Sequence, residues 1–124
     1  MHLIISNSSM EPIYEQIIRQ MKENMIEGKL LAGTMLPSVR NLSKELKISA
    51  LTVKKAYDQL EEQGFIVTVH GKGSFVAANS QSLVWEEQRK VVEKQLEQAM
   101  CSAKSCGMLK DELAAVFELI LEEG

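Results

Sequence analysis

Apolar residues recur at helical spacing in two short neighbouring stretches between Leu36 and Glu62. The apolar positions are Val39, Leu42 and Leu46 in the first stretch, and Val53, Ala56, Tyr57 and Leu60 in the second. Each set would lie on one face of a half-buried helix. The joint Lys47-Ile48-Ser49 is so short that the two helices must cross, and Ser49 is a good N-cap for the second. The pattern predicts a helix-turn-helix, whose second helix enters the major groove of DNA.

The same spacing predicts three further helices, at about Pro12–Glu27, Leu83–Ala103 and Leu109–Leu121. We expect Pro12 to be the first residue of its helix and Gly28 to end that helix. A break at Ser105-Cys106-Gly107 separates the last two helices. His2–Ser6 could be a small strand or an arm, and Lys29–Met35 is interpreted as a linker.

A β-hairpin is predicted directly after the second helix of the pair. Phe65–Val69 alternates and is rich in β-branched residues, His70-Gly71-Lys72-Gly73 is a tight turn, and Ser74–Ala77 returns as the second strand. A hairpin in this place is typical of the wing of a winged helix-turn-helix. His70 and Lys72 at its tip could contact a phosphate or the minor groove, although a plain exposed hairpin tip would have the same pattern.

The predicted fold is mainly α with a small β-hairpin, a winged helix-turn-helix followed by a two-helix C-terminal dimerisation hairpin. Residues 1–79 would form the DNA-binding domain, and residues 80–124 the two-helix dimerisation region, with the polar joint Asn79–Ser82 at the boundary. Formal charge divides at the same place, +1 before it and −4 after it. The last two helices carry more apolar face than one hairpin can bury. We therefore favour homodimerisation through Leu83–Leu121 over packing against the first domain.

Charge is concentrated on the helix pair. Ser38–Tyr57 contains five cations and one anion, within a chain of 124 residues whose net charge is −3. This segment could be the solvated face of an ordinary helical domain, but the wing that follows favours a DNA-binding surface. Ser38 caps the first helix or lies in its first turn, so Arg40 lies near a helix N-terminus, where backbone N–H groups and a guanidinium suit a DNA phosphate.

Other classes of function find little support in the chain. No nucleophile–base pair, metal cluster or phosphate-binding loop is present, and His2 and His70 lie at a terminus and a turn, so we expect no enzyme, cofactor or metal. Cys101 and Cys106 could be a thiol sensor, but two ordinary helix-end cysteines are favoured. We see no membrane span and no signal peptide, and the cysteine and methionine content suits the cytoplasm. A protein-interaction module is the second hypothesis, although it would not need a basic helix pair and wing.

The stretch Pro12–Ala77 resembles the winged helix-turn-helix domain of GntR-family bacterial transcription regulators. The matching pieces are PIYEQI, the Gly28 stop, GTMLPSVRNLSKEL, TVKKAYDQLEEQGFI and HGKGSFVA. The short two-helix tail resembles the YtrA-like subfamily, and leaves no room for a larger effector-binding domain. A small-molecule effector could then bind only at a dimer interface or between the modules.

This resemblance implies a homodimeric, sequence-specific regulator of transcription, with a repressor expected, on a pseudo-palindromic operator in double-stranded DNA, and a transporter operon as its target. It assigns DNA contacts to Arg40 after the LPS motif, to Ser49, Thr52 and Lys54 at the start of the recognition helix, and to His70, Gly71 and Lys72 in the wing. Many members carry an arginine where this chain has Ala50. Base contacts would then shift to Thr52, Lys54, Lys55 and the wing, or to thymine methyl groups beside Ala50 and Leu51.

Overall fold

The computed structural model describes all residues from Met1 to Gly124, with five helices and one two-stranded antiparallel sheet. The elements are α1 (Ile13–Ile26), α2 (Val39–Leu46), α3 (Ala50–Glu62), β1 (Ile66–Val69), β2 (Gly73–Val76), α4 (Ser80–Ser105) and α5 (Lys110–Glu123). The predicted winged helix-turn-helix followed by C-terminal helices is confirmed. The chain divides into two compact units, Met1–Glu86 and Glu87–Gly124. None of the helices is both long enough and apolar enough to cross a membrane.

One hydrophobic core holds the first unit together. It takes side chains from every helix of that unit, from both strands and from the N-terminal segment. The fully buried members include Ile17, Met21, Met25, Leu42, Val53, Leu60, Ile66 and Val84. The apolar faces that predicted α2 and α3 supply this core, so the polar faces of both helices are left for solvent or a partner.

The joint between α2 and α3 is built as the spacing predicts. Ser38 and Ser49 are the N-caps, and their hydroxyls accept hydrogen bonds from the backbone N–H groups of Asn41 at 3.1 Å and Thr52 at 3.3 Å. Lys47 ends α2 with φ of 57°, and its N–H donates to the Ser43 carbonyl. A left-handed residue that is not glycine costs free energy. The left-handed conformation of Lys47 is tolerated because it lets the chain turn from α2 into α3 within three residues.

The N-terminal segment is an arm without regular secondary structure. Two glutamine side chains of α1 hold the arm, because each amide both donates a hydrogen bond to its backbone and accepts one from it. Gln16 accepts from the N–H of Ser6 at 2.9 Å and donates to its carbonyl at 2.9 Å, and Gln20 makes the same pair with Ile4 at 2.8 and 2.6 Å. Leu3 is thereby buried against the core. Pro12 was expected to be the first helical residue, but its extended ψ of 146° makes it the N-cap.

The wing pairs β1 with β2 in antiparallel register, with Val69 opposite Gly73. The N–H of Lys72 donates to the Val69 carbonyl at 2.9 Å and closes the turn. Gly71, with φ of 77°, stands where a type II turn requires a positive φ. The stretch interpreted as a linker adds an unpredicted edge to this sheet, since Met35 forms a bridge with Phe75.

Helix α4 begins within the stretch that was predicted to be a polar joint. Asn79 accepts the first backbone hydrogen bond, from Leu83 at 3.1 Å, so Ser80-Gln81-Ser82 forms the first turn of the helix. Asn and Ser are residues that open helices as readily as they form loops, which explains this error. Val84 lies in the core of the first unit, and the side-chain amide of Gln81 donates to the Ile26 carbonyl at the end of α1.

The second unit contains the remainder of α4 and all of α5. Gly107, with φ of 79°, separates the two helices, as the predicted break requires. Ala103 is the buried residue of this unit, and α5 buries none. Apolar side chains that are about half exposed include Val91, Val92, Leu96, Met100, Val116, Phe117, Leu119, Ile120 and Leu121. The second unit taken alone therefore has almost no core.

Candidate nucleic-acid interface

The outer face of α3 is the centre of the candidate interface. We give this name to the exposed side chains of Leu51, Lys54, Lys55, Asp58 and Glu62. They lie opposite the buried positions, because Val53, Ala56, Tyr57 and Leu60 turn the other side of the helix into the core. Four of the predicted contact residues fall in α2 or the first two turns of α3, namely Arg40, Thr52, Lys54 and Lys55, and Ser38 and Ser49 are the N-caps of these helices.

The N-terminal turn of α3 offers small and apolar groups beside a helix end. The hydroxyl of Ser49 is used as the cap, and the Thr52 side chain is only partly exposed. Ala50 and Leu51 are exposed, and Leu51 is 78% accessible. The free backbone N–H groups and the positive end of the helix dipole favour an anion at this turn.

The two lysines of the outer face are held in different ways. Lys54 forms an ion pair with Asp58 one turn later, and both side chains are about 60% exposed, so the pair is weak. The ammonium of Lys55 lies 3.9 Å from the centroid of the Tyr14 ring on α1. The phenol of Tyr14 donates to Glu15, and this hydrogen bond and charge raise the pKa of Tyr14. Lys54 is therefore the lysine more available to the groove.

The N-terminus of α2 and the wing tip form a second part of the interface. Ser38 and Lys72 line one cleft, together with Asn41, Ser74 and Tyr57. Arg40 is exposed in the first turn of α2. The structure therefore places the N-terminus of α2 and the wing tip around one cleft.

A buried tyrosine connects α3 to the start of α2. Tyr57 is 5% exposed, and its hydroxyl donates to the Pro37 carbonyl at 2.7 Å. Burial raises the pKa of Tyr57 far above its usual value, and the Glu45 carboxylate raises it further. The phenol is thus a neutral donor at every physiological pH. It holds the segment before the Ser38 cap against the recognition helix.

The wing tip is fully accessible, and its stem is tied to α3. His70, Gly71 and Lys72 are exposed. The hydroxyl of Thr68 on β1 donates to the Glu61 carboxylate on α3 at 2.8 Å. The tip therefore projects from a stem whose position relative to the recognition helix is set by a direct hydrogen bond.

The charge of the recognition helix is polarised along its axis. Lys54 and Lys55 precede Asp58, Glu61 and Glu62, so the first two turns are basic and the last two are acidic. A phosphate backbone repels the acidic half and attracts the basic half together with the helix N-terminus. The arrangement favours α3 entering a groove by its N-terminal end. Sequence reasoning missed this feature, although the acidic positions are plain in the sequence.

Groups that would indicate other chemistry are not assembled. No group of three or more His, Cys, Asp or Glu side chains is placed to hold a metal ion. Cys101 and Cys106 are both free and exposed in the second unit.

The first unit combines the features of a winged helix-turn-helix DNA-binding protein. These features are a basic helix end, a capped helix pair and a projecting hairpin. The family model for bacterial regulatory proteins of the gntR family matches residues 13–76, which is half of the chain, so the chain belongs to the GntR family. It is a DNA-binding transcription regulator and not an enzyme. The resemblance inferred from the motifs is thereby confirmed.

Similarity to known regulators extends beyond the DNA-binding unit. The chain is 38% identical over 118 residues to the HTH-type transcriptional repressor YtrA of Bacillus subtilis (strain 168), covering 95% of this chain and 88% of that protein. A transcriptional regulator from Oenococcus oeni has a similar solved structure, with a TM-score of 0.77 and 29% identity over 97% of this chain and 99% of that one. The solved structure of AraR(DBD) in complex with operator ORX1 matches with a TM-score of 0.56 and 29% identity, covering 62% of this chain and 99% of that one.

Proposed function

We propose that the protein is a cytoplasmic repressor that binds a pseudo-palindromic operator as a homodimer, with a transporter operon as its target. One observation carries the proposal that the protein binds DNA. The exposed recognition helix is basic at its N-terminal end and lies beside the capped end of α2 and the wing. Repression is supported by the likeness to a protein named a transcriptional repressor over 95% of this chain.

In this proposal the nine site residues divide by role. Ser38, Arg40 and Lys72 surround or neighbour the cleft between α2 and the wing, and they contact phosphates. Ser49, Thr52 and Lys54 enter the major groove with the first turns of α3. Lys55, stacked on Tyr14, contacts the flanking backbone. His70 and Gly71 approach the adjacent groove from the wing tip. Phosphate contacts set register, and the groove contacts select sequence.

Dimerisation is supported by the state of the second unit. Its apolar side chains are about half exposed along α4 and α5, including Leu96 at 48% and Phe117 at 45%. Exposed apolar patches of this kind mark association surfaces. A second copy is the occupant that a symmetric operator requires, since two-fold related half-sites call for two recognition helices.

The test is a fluorescence-anisotropy titration of the protein against DNA from its own upstream region, with a scrambled duplex as competitor and two salt concentrations. We expect tight binding that resists the competitor and weakens steeply with salt. Sedimentation of the free protein and of the complex gives the number of chains. Transcript levels in a deletion strain show whether the target genes rise, as repression requires, and whether they encode a transporter.

A protein-interaction module is the alternative. It predicts no binding to any duplex at low salt, which would overturn the proposed function. Equal weak binding to both duplexes would mean that the upstream region lacks the operator. The preferred sequence would then be selected from a random duplex library. A library that yields no preferred sequence would also overturn it.

A further inference from the structure

Leu51 is a large apolar side chain that is exposed on the first turn of α3, the end that enters the groove in the proposed function. It is 78% exposed, the highest exposure of any large apolar side chain in α1, α2 or α3. It lies two residues before Val53, which is completely buried, and so points away from the core. Neither packing within the first unit nor helix capping explains a leucine at this point.

The first turn of α3 around Leu51 offers no strong base-edge donor. Ala50 precedes it, and the Ser49 hydroxyl is used as the helix cap. Lys54 and Lys55 follow one turn later on either side, one paired with Asp58 and the other stacked on Tyr14. The leading tip of the helix is therefore a small apolar surface surrounded by polar groups.

The only apolar group larger than a single C–H on a base edge in the major groove is the C5-methyl of thymine. A leucine pressed against any other edge would remove water from a donor or acceptor and give it no partner, which costs free energy. Against a thymine methyl it loses nothing and buries apolar area.

We infer that Leu51, supported by Ala50, recognises a thymine methyl in each operator half-site, and that this contact is the main determinant at that base pair, in place of the arginine that many family members carry where this chain has Ala50. The inference rests on the proposed function, since it requires α3 to enter the major groove. The inference predicts that the operator prefers an A·T pair at the position that faces the N-terminal turn of α3. Specificity at this pair is then hydrophobic, while Arg40 and Lys72 supply the salt-dependent attraction.

The experiment changes only the methyl group. An operator is first obtained from the upstream region or by selection from a random duplex library. Each thymine of the half-site is then replaced singly by deoxyuridine, which keeps the base pair and removes the methyl. Burying one such group corresponds to about a fourfold change in Kd. We expect a loss of about this size at one or two adjacent positions, and about sixteenfold when both half-sites are changed together.

The variant Leu51→Ala makes the assignment specific. It should bind the natural operator more weakly and lose its sensitivity to deoxyuridine at those positions, while the other positions are unaffected. Leu31→Ala is the matched control, because Leu31 is another leucine of the first unit, 65% exposed and outside α3. It should keep the wild-type deoxyuridine profile. Both sites are exposed, so neither change threatens the fold.

Two results would overturn the inference and leave the proposed function standing: an operator whose affinity ignores every deoxyuridine substitution, or a deoxyuridine profile that is the same in Leu51→Ala and wild type. Failure to select any preferred duplex would overturn the proposed function and this inference with it. The outcomes are therefore distinguishable within one series of titrations.

Discussion

The hydroxyl of Tyr57 donates a hydrogen bond to the carbonyl of Pro37 across 2.7 Å, and so joins the middle of the recognition helix to the residue before the α2 cap. The donor is shielded from water, because Tyr57 is 5% exposed, while Pro37 is partly buried. The bond fixes where Ser38 and Arg40 stand relative to α3. In the proposed function, one buried donor thus sets the position of the phosphate contact relative to the groove contact.

Tyr57→Phe removes this donor and leaves the Pro37 carbonyl without its partner. We expect a loss of about 1–2 kcal/mol in the free energy of unfolding, measured by urea denaturation at neutral pH. The aromatic ring is retained, so the core should remain filled. Binding of operator DNA should weaken in the same variant at temperatures where it is fully folded.

The raised pKa of Tyr57 also predicts a pH dependence. In the folded protein the phenol stays protonated when the unfolded chain would already release its proton, above about pH 10. The unfolded state then binds fewer protons, so stability falls as the pH rises above that value and is fully present below it. Tyr57→Phe should flatten the slope of unfolding free energy against pH between about pH 10 and 11. An unchanged slope would show that another group causes the alkaline loss.

Arg40→Ala should weaken binding to the operator and to scrambled DNA by a similar factor. The guanidinium lies at a helix N-terminus suited to a phosphate, and phosphate contacts carry no sequence information. The slope of log K against log salt should fall by about one. Arg19→Ala is the control, since its loss removes the same charge. Arg19 lies on α1, where it pairs with Glu23 of the same helix and with Glu11 just before the helix. Wild-type affinity in Arg40→Ala would exclude this residue from the interface.

The two adjacent lysines of α3 should differ in importance. Lys54→Ala should cost more operator affinity than Lys55→Ala and should also alter base preference, because Lys55 is stacked on Tyr14. A double-mutant cycle of Tyr14→Leu with Lys55→Ala should give a coupling of about 0.5–1 kcal/mol in unfolding free energy. A coupling of zero would mean that the stacked geometry contributes nothing in solution.

The N-terminal arm gives a prediction about stability. Gln16 is 2% exposed and makes three hydrogen bonds, to Ser6 twice and to the Glu11 carbonyl. Gln16→Ala should lower the unfolding free energy by about 2–3 kcal/mol. Gln20→Ala removes a similar but more exposed pair and should cost about 1 kcal/mol. Equal costs for the two variants would show that burial of Gln16 has no energetic effect.

Phe117→Glu tests the proposed dimer. A carboxylate in a buried apolar interface should weaken self-association by at least about tenfold. Sedimentation equilibrium measures this change directly. Glu118→Ala alters the adjacent position and should leave the dimer constant close to that of wild type. A monomeric wild-type protein, or a Phe117→Glu protein that dimerises equally well, would contradict the proposal.

The winged helix-turn-helix was predictable because its elements follow local rules: helical spacing of apolar residues, Ser38 and Ser49 as caps, and Gly71 in a tight turn. Contacts distant in sequence were not predictable from such rules. The pairing of Gln16 with the arm and of Met35 with Phe75 depends on tertiary geometry. The start of α4 at Ser80 was missed because Asn79 and Ser82 suit a loop and a helix end equally well.

For the candidate site, the residue types could be predicted but their orientation could not. Helical periodicity placed Lys54 and Lys55 on the exposed side of α3. It did not reveal that Lys55 turns towards an aromatic ring from another helix, or that Leu51 is left alone at the tip. The acidic half of α3 is different, since Asp58 follows Lys54 by one helical turn and this spacing can be read from the sequence alone.

The interactions that hold the N-terminal arm differ in kind from those that attract DNA. The arm is attached by neutral amides and an apolar residue, which carry no charge for dissolved ions to screen. Attraction to DNA comes from guanidinium and ammonium groups, and salt weakens it steeply. For the proposed repressor, a rise in ionic strength would therefore empty the operator while leaving the fold of the chain intact, and dilution back to the original salt would restore DNA binding without any refolding step.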